Sequence, residues 1–148
     1  LGFATPSGRA RCTVNHHVPV HVPPGRLLLQ TLRSHDQYNT TIYGLDDRYR
    51  GIYGHRRVVF IHAADLRDLG MNAGDWVDIT SLYVGETGGE VQQRRAERFL
   101  LVAYDIPRGC LASYYPETNA LVPLESFSIS ARTPTSKSIP VMLSAHAG

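Results

Sequence analysis

The residues best equipped for chemistry crowd into one stretch, where the apolar run Leu27, Leu28, Leu29 with Leu32 opens into Thr31, Arg33, Ser34, His35, Gln37, Asn39, Thr40 and Thr41. Arginine presents a planar fork that matches a phosphate, Ser34 and Thr31 bring hydroxyl donors, and Gln37 and Asn39 each pair a donor with an acceptor, which suits a purine or pterin edge. Such a cluster at the exit of a strand can hold a polar, anionic, multi-ring ligand. The same composition also builds a hairpin loop tied down by its own side chains, because Ser, Asn, Asp and Gly are ordinary turn residues.

Three other groupings name familiar chemistry and fail on geometry. Ser34-His35-Asp36 spells a hydrolase triad, but adjacent residues on extended chain point to opposite sides and cannot form a hydrogen-bonded line. Asp46-Asp47 lacks the further oxygen ligands of a divalent metal site and reads as a loop feature. His16, His17 and His21 have zinc-like spacing, yet Pro19, Pro23 and Pro24 forbid the helix that would align them, so they belong to a surface connection. Cys12 and Cys110 are far apart with no ligand spacing and read as buried or free thiols, in keeping with a reducing, cytoplasmic setting.

The elements that must position the first cluster are mostly strands. Gly8–Val14 alternates and is expected to be the first of them, with Leu27 onward as the next. Leu45–Arg57, rich in Asp, Arg, Tyr and Gly, is expected to be a long ordered loop over a ligand. Its Tyr43, Tyr49 and Tyr53 neighbourhood can stack on a flat ring or simply pack the loop down, and Arg56 and Arg57 equally read as a solvated edge. Val58–Ile61 is a buried strand, and His62–Leu69 a short helix with Ala63, Leu66 and Leu69 inward, Asp65 near its positive end and Gly70 at C′. A turn at Asn72-Ala73-Gly74-Asp75 leads to strand Trp76–Leu82. Gly85–Arg95 is a polar hairpin tip without the pattern of a phosphate loop. Strands Arg98–Tyr104, Cys110–Tyr114 and Ile139–Leu143 follow, with Ser/Thr-rich loop over 126–135. The segment Leu69-Gly70-Met71-Asn72-Ala73-Gly74-Asp75 between a helix and a strand resembles a unit that recurs in double-psi β-barrels, so the expected fold is all-β, a double-psi barrel with one or two short helices.

At 148 residues the chain is expected to form one domain, residues 1–148, with a core that needs no covalent staple. The formal net charge is only +2, which argues against nucleic acid as a partner. No apolar run is long enough for a membrane helix. Fourteen of the fifteen basic residues are arginine, and Lys137 is the sole lysine. The first residue is Leu1, and the chain enters structured-looking sequence at once, so it is read as an excised piece of a larger protein.

The segment TLRSHDQYNTTIYG followed by LDDRYRG resembles the last domain of molybdopterin oxidoreductases of the formate-dehydrogenase-like group, the part that closes over bis(molybdopterin guanine dinucleotide). TPSGRA, HAADLRDLGMNAGDWVDI, AYDIPRGCLASYYPETNALVP and TPTSKSIPV extend the likeness in the same order over nearly the whole chain. The resemblance implies cofactor contacts from Thr31, Arg33, Ser34, His35, Gln37, Tyr38 and Asn39, from Glu117 and Asn119 in PETN, and from Ser136 and Lys137 in TSK. It implies also that molybdenum is ligated by an earlier domain of the same polypeptide, that redox chemistry belongs to the cofactor, and that no residue here is catalytic. Without ligand, the Arg33–Tyr43 loop is then expected to be mobile. The competing expectation is a stand-alone barrel serving as a small-ligand or protein-interaction module. A small barrel enzyme with its own nucleophile finds no positioned base.

Overall fold

The structure, a computed structural model, describes residues 2–17, 19–39, 42–84 and 91–148. Among these, six strands close into a barrel: β1 (Leu27–Leu32), β2 (Val58–Ile61), β3 (Trp76–Tyr83), β4 (Gln92–Ala103), β5 (Cys110–Tyr114) and β6 (Ile139–Ala145). Their neighbour order is β1-β5-β2-β4-β3-β6, and β6 returns to β1. The pairs β1/β5 and β2/β4 are parallel and the remaining contacts antiparallel. Two parallel pairs made by strands remote in sequence, locked inside one closed sheet, give the double-psi arrangement. One short helix, α1 (Ala63–Asp68), and a 3-10 turn at Asn119–Leu121 are the helical elements among the described residues.

β2 shows how sequence sets position. Its four residues, Val-Val-Phe-Ile, are all buried and do not alternate with polar ones. Val59 and Ile61 face the barrel interior with Leu29, Phe99 and Leu111, whereas Val58 and Phe60 lie in a second apolar cluster with Ile52 and Tyr114. A strand covered on both faces has no reason to carry a polar side.

Helix α1 ends on Gly70, which takes φ +66°. Gly70 N–H donates to the Arg67 carbonyl and Met71 N–H to that of Leu66, the paired bonds of a Schellman cap. Asp65 accepts from Arg108 Nε and from Gly109 N–H, both at 2.7 Å, and so pins the helix to the turn before β5. The expected inward face is narrower than the periodicity suggested. Leu66 is buried, but Ala63 is exposed and Leu69 is 42% exposed, since a helix of under two turns touches the barrel along one line only.

Two expectations about strands are corrected. Gly8–Val14 forms no strand, and its residues are exposed. The barrel is already closed by β6 against β1, so no unpaired edge exists for another strand to join. Conversely, β4 begins at Gln92 rather than Arg98, because the polar ladder Gln92–Ala96 pairs with Ile79–Tyr83 of β3. Of the expected hairpin tip, 85–90 lie outside the described residues.

Candidate cofactor-binding site

Topology gathers three sequence-distant clusters at one rim. Because β1 and β5 run parallel, with Leu32 opposite Tyr114, the segments leaving them start side by side, and Tyr115 N–H extends the ladder to the Leu32 carbonyl. β6 is antiparallel to β1, so its lead-in lies at the same end, where Thr31 N–H donates to the Ser136 carbonyl at 3.0 Å. Residues 31–39, 115–119 and 136–137 thereby meet. Thr40 and Thr41 lie outside the described residues.

The centre of this rim is Arg56, which is 3% exposed. Its Nε donates to Glu117 Oε1 at 2.7 Å, one terminal nitrogen to Ser34 Oγ at 2.8 Å, and the other to Gln37 Oε1 at 2.8 Å and the Tyr115 carbonyl at 2.9 Å. Its planar head lies 3.8 Å from the Tyr43 ring centroid and 4.6 Å from that of Tyr114. One guanidinium thus ties the first polar cluster to the second, which corrects its reading as a solvated edge. Arg57 does point outward. Ser34, Gln37 and Glu117 spend hydrogen-bonding capacity on this tie, and the turn from Ser34 to Gln37 closes through Gln37 N–H to the Ser34 carbonyl. Ser34 and Gln37 are thereby tied to the second loop and to each other.

The second anchor is Asp47, also buried. It accepts from the Tyr114 hydroxyl at 2.8 Å and from Arg50 at 2.5 Å, and its other oxygen meets His35 Nδ1 at 2.9 Å. Burial pushes the Asp47 carboxyl up, but the bonds from Tyr114, Arg50 and His35 outweigh it and hold the group below the usual carboxylate range. The Tyr114 phenol moves the other way, raised by burial and by the neighbouring Asp47 charge. His35 also stacks on Tyr49 at 4.5 Å. Asp46 caps the loop from outside by accepting from Gly54 N–H at 2.7 Å. The 45–57 segment is therefore ordered by its own carboxylates, neither of which is placed as a metal ligand. Among the described residues no cluster of His, Cys, Asp or Glu has metal-site geometry, and both cysteines are free thiols.

Two cations at the rim lack such neutralisation. Arg33 donates to Asn39 Oδ1 at 2.8 Å, and Lys137 Nζ donates to the Thr31 carbonyl at 2.5 Å with Thr31 Oγ1 at 3.4 Å. Both sets of partners are neutral. Among the described residues neither cation has a carboxylate partner. Burial, with the nearby Arg33 charge in addition, lowers the Lys137 pKa, so the ammonium sits where its charge is disfavoured until an anion arrives. Lys137 lines a cavity of about 410 Å³ with Arg50, Leu28, Leu32 and Phe60. A second hollow of about 540 Å³ joins Lys137 to Ser136 and Asn119. Tyr38 and Asn119 are exposed, and the Tyr38 carbonyl accepts from the Tyr115 hydroxyl at 3.4 Å. Lys137 borders this apolar-walled space and feels the charge of Arg33 nearby; two cations without a carboxylate partner among the described residues fit a ligand that combines phosphate with flat rings.

The comparisons with known proteins agree with that chemistry. A family model described as "Molydopterin dinucleotide binding domain" matches residues 27–140, from β1 to the start of β6. An uncharacterized oxidoreductase of Mycobacterium tuberculosis is 59% identical over 141 residues, covering 95% of this chain and 18% of the relative. Protein YdeP of Escherichia coli is 38% identical over 144 residues, covering 95% of this chain and 19% of the relative. The chain thus spans less than a fifth of the length of these relatives. With the barrel, the rim and the matched span in register, the chain belongs to the molybdopterin dinucleotide-binding domain family.

Proposed function

We propose that this chain is the cofactor-closing domain of a formate-dehydrogenase-like oxidoreductase, that its ligand is the guanine dinucleotide form of molybdopterin, and that earlier domains of the same polypeptide, in a cytoplasmic enzyme, hold the molybdenum. The observation that carries the reading is the pair Arg33 and Lys137, two cations without a carboxylate partner among the described residues, at the rim of a molybdopterin-family barrel. In this reading they hold anionic phosphate or pterin oxygens of the dinucleotide, while His35, Tyr38, Asn39, Asn119, Thr31 and Ser136 line the approach. Ser34, Gln37 and Glu117 act through Arg56, which keeps the two loops in register. The bound group supplies the electron transfer; the residues of this chain orient it and exclude water. Each charge-assisted hydrogen bond at the rim is worth about 1.5–3 kcal/mol.

The test is chemical. The nucleotide released by acid from the full-length protein identifies the cofactor form, and formate-dependent reduction of an artificial acceptor reports the reaction class. Guanosine monophosphate with formate turnover supports the proposal. A different nucleotide, or an active enzyme indifferent to formate, overturns the corresponding half of it.

A further inference from the structure

A further hollow of about 570 Å³ has Arg56, Arg57, Arg98, Glu117, His55 and Trp76 in its wall. Arg56 and Glu117 neutralise each other. Arg57 donates to the Glu97 backbone carbonyl at 2.7 Å, and Arg98 lies 5.3 Å from the Trp76 ring centroid. Among the described residues neither has a carboxylate partner, so two positive forks share one depression.

Arg98 is held there at some expense. It adopts φ +59°, a conformation that non-glycine residues rarely take, at the point where the β3/β4 register shifts between Val77 and Ile79. The fully buried Asp78 maintains this bulge by accepting the Arg98 N–H at 2.8 Å. Residues kept in such conformations by surrounding structure cluster at functional sites. His55 adds a third, independent feature. Its Nδ1 lies 3.0 Å from the Tyr53 carbonyl; a carbonyl only accepts, so the proton is on Nδ1. Nε2 is buried without a hydrogen bond among the described residues, an acceptor that calls for a donor.

We infer that this hollow binds a phosphate monoester carrying a hydroxyl or amino donor. Two guanidinium forks match a dianionic head in charge, a single carboxylate would leave one of them unpaired, and the ligand's donor, after a small shift of the half-buried ring, meets His55 Nε2. A sugar phosphate and a mononucleotide both present this chemistry. The site uses Arg57, Arg98 and His55 rather than Arg33 and Lys137, and shares Arg56 and Glu117 with the cofactor rim.

Trp76 is the only tryptophan, so its indole N–H gives one resonance against which the chain can be titrated at constant ionic strength. Ribose 5-phosphate or guanosine monophosphate is expected to shift it saturably, with inorganic phosphate at least tenfold weaker and ribose without effect. A nucleotide tenfold tighter than ribose 5-phosphate identifies a nucleotide site; equal affinity identifies a sugar phosphate site. Arg98→Gly accepts the positive φ, so it keeps the bulge and removes the fork. It should weaken the ester at least tenfold without lowering the melting temperature, as should Arg57→Gln, and His55→Phe should narrow the gap between ester and inorganic phosphate. Lys137→Ala should leave the affinity unchanged. No saturable response, equal binding of inorganic phosphate and esters, unchanged affinity in both arginine variants, or loss in Lys137→Ala would each overturn the inference.

Discussion

Replacing Arg56 by methionine removes the tie between the two loops while preserving most of the buried aliphatic volume. Glu117, whose side chain is 14% exposed, would keep a charge without its counter-ion, and Ser34, Gln37 and the Tyr115 carbonyl would each lose a donor. Breaking a buried pair from one side costs about 3–5 kcal/mol, mostly through the charge left behind. At about 2–4 °C per kcal/mol for a domain of this size, the melting temperature should fall by about 6–20 °C. Arg56→Lys should recover only part, because a compact ammonium cannot reach partners on three sides of a planar fork. Adding Glu117→Gln to Arg56→Met should restore stability, since the stranded charge disappears. Thermal and urea unfolding followed by circular dichroism measure all four proteins. A loss below about 1 kcal/mol for Arg56→Met, the value of an exposed pair, or further destabilisation in the double variant, would refute the assignment of Arg56 as the buried tie.

Acid should unfold the chain through Asp47, Asp65 and Asp78. Each is raised by burial but lowered overall by its hydrogen bonds, so its stabilisation is complete above the unfolded value near pH 3.9 and is lost as pH falls through the lower folded value. Urea midpoints should therefore be flat from about pH 7 to 5 and drop steeply below about pH 4, with Asp78→Asn flattening that drop. Gly70→Ala should cost about 1 kcal/mol in urea unfolding, because alanine at φ +66° meets the left-handed penalty that glycine avoids. Lys137→Ala should lower stability by about 1 kcal/mol through loss of the bond to the Thr31 carbonyl, more than a free surface charge would. Amide exchange should be slow at Gln37, whose N–H closes the turn onto Ser34.

The strands at Val58–Ile61 and Cys110–Tyr114 were legible because each is a short apolar run bounded by turn residues. Gly8–Val14 misled for a physical reason: alternation specifies a face, but a strand also needs a free edge, and edges are a property of the closed sheet. The three clusters at the rim could be guessed from strand ends, whereas the reason they meet, parallel β1/β5 with antiparallel β6, lies in pairings between residues about eighty or more positions apart. Arg56 was missed since the pair Arg56-Arg57 looks symmetrical in sequence. A signal was present: stepping back by two from Phe60 and Val58, on the face later found against Tyr114, lands on Arg56. For the Asp47 side chain only the Arg50 partner lies near in sequence; the His35 and Tyr114 bonds that place it come from 12 and 67 residues away.

The central claim is that Arg33 and Lys137 form the anion-holding rim of a molybdopterin dinucleotide site. It is tested most directly by the molybdopterin content of the full-length protein carrying Arg33→Gln and Lys137→Met, measured as pterin fluorescence after oxidation, beside the melting temperature of the same variant in this chain. The account predicts at least a tenfold fall in bound cofactor, as expected from losing about 3 kcal/mol or more of charge-assisted bonding, with a melting temperature lowered by no more than about 5 °C. Full cofactor occupancy in the double variant would contradict it.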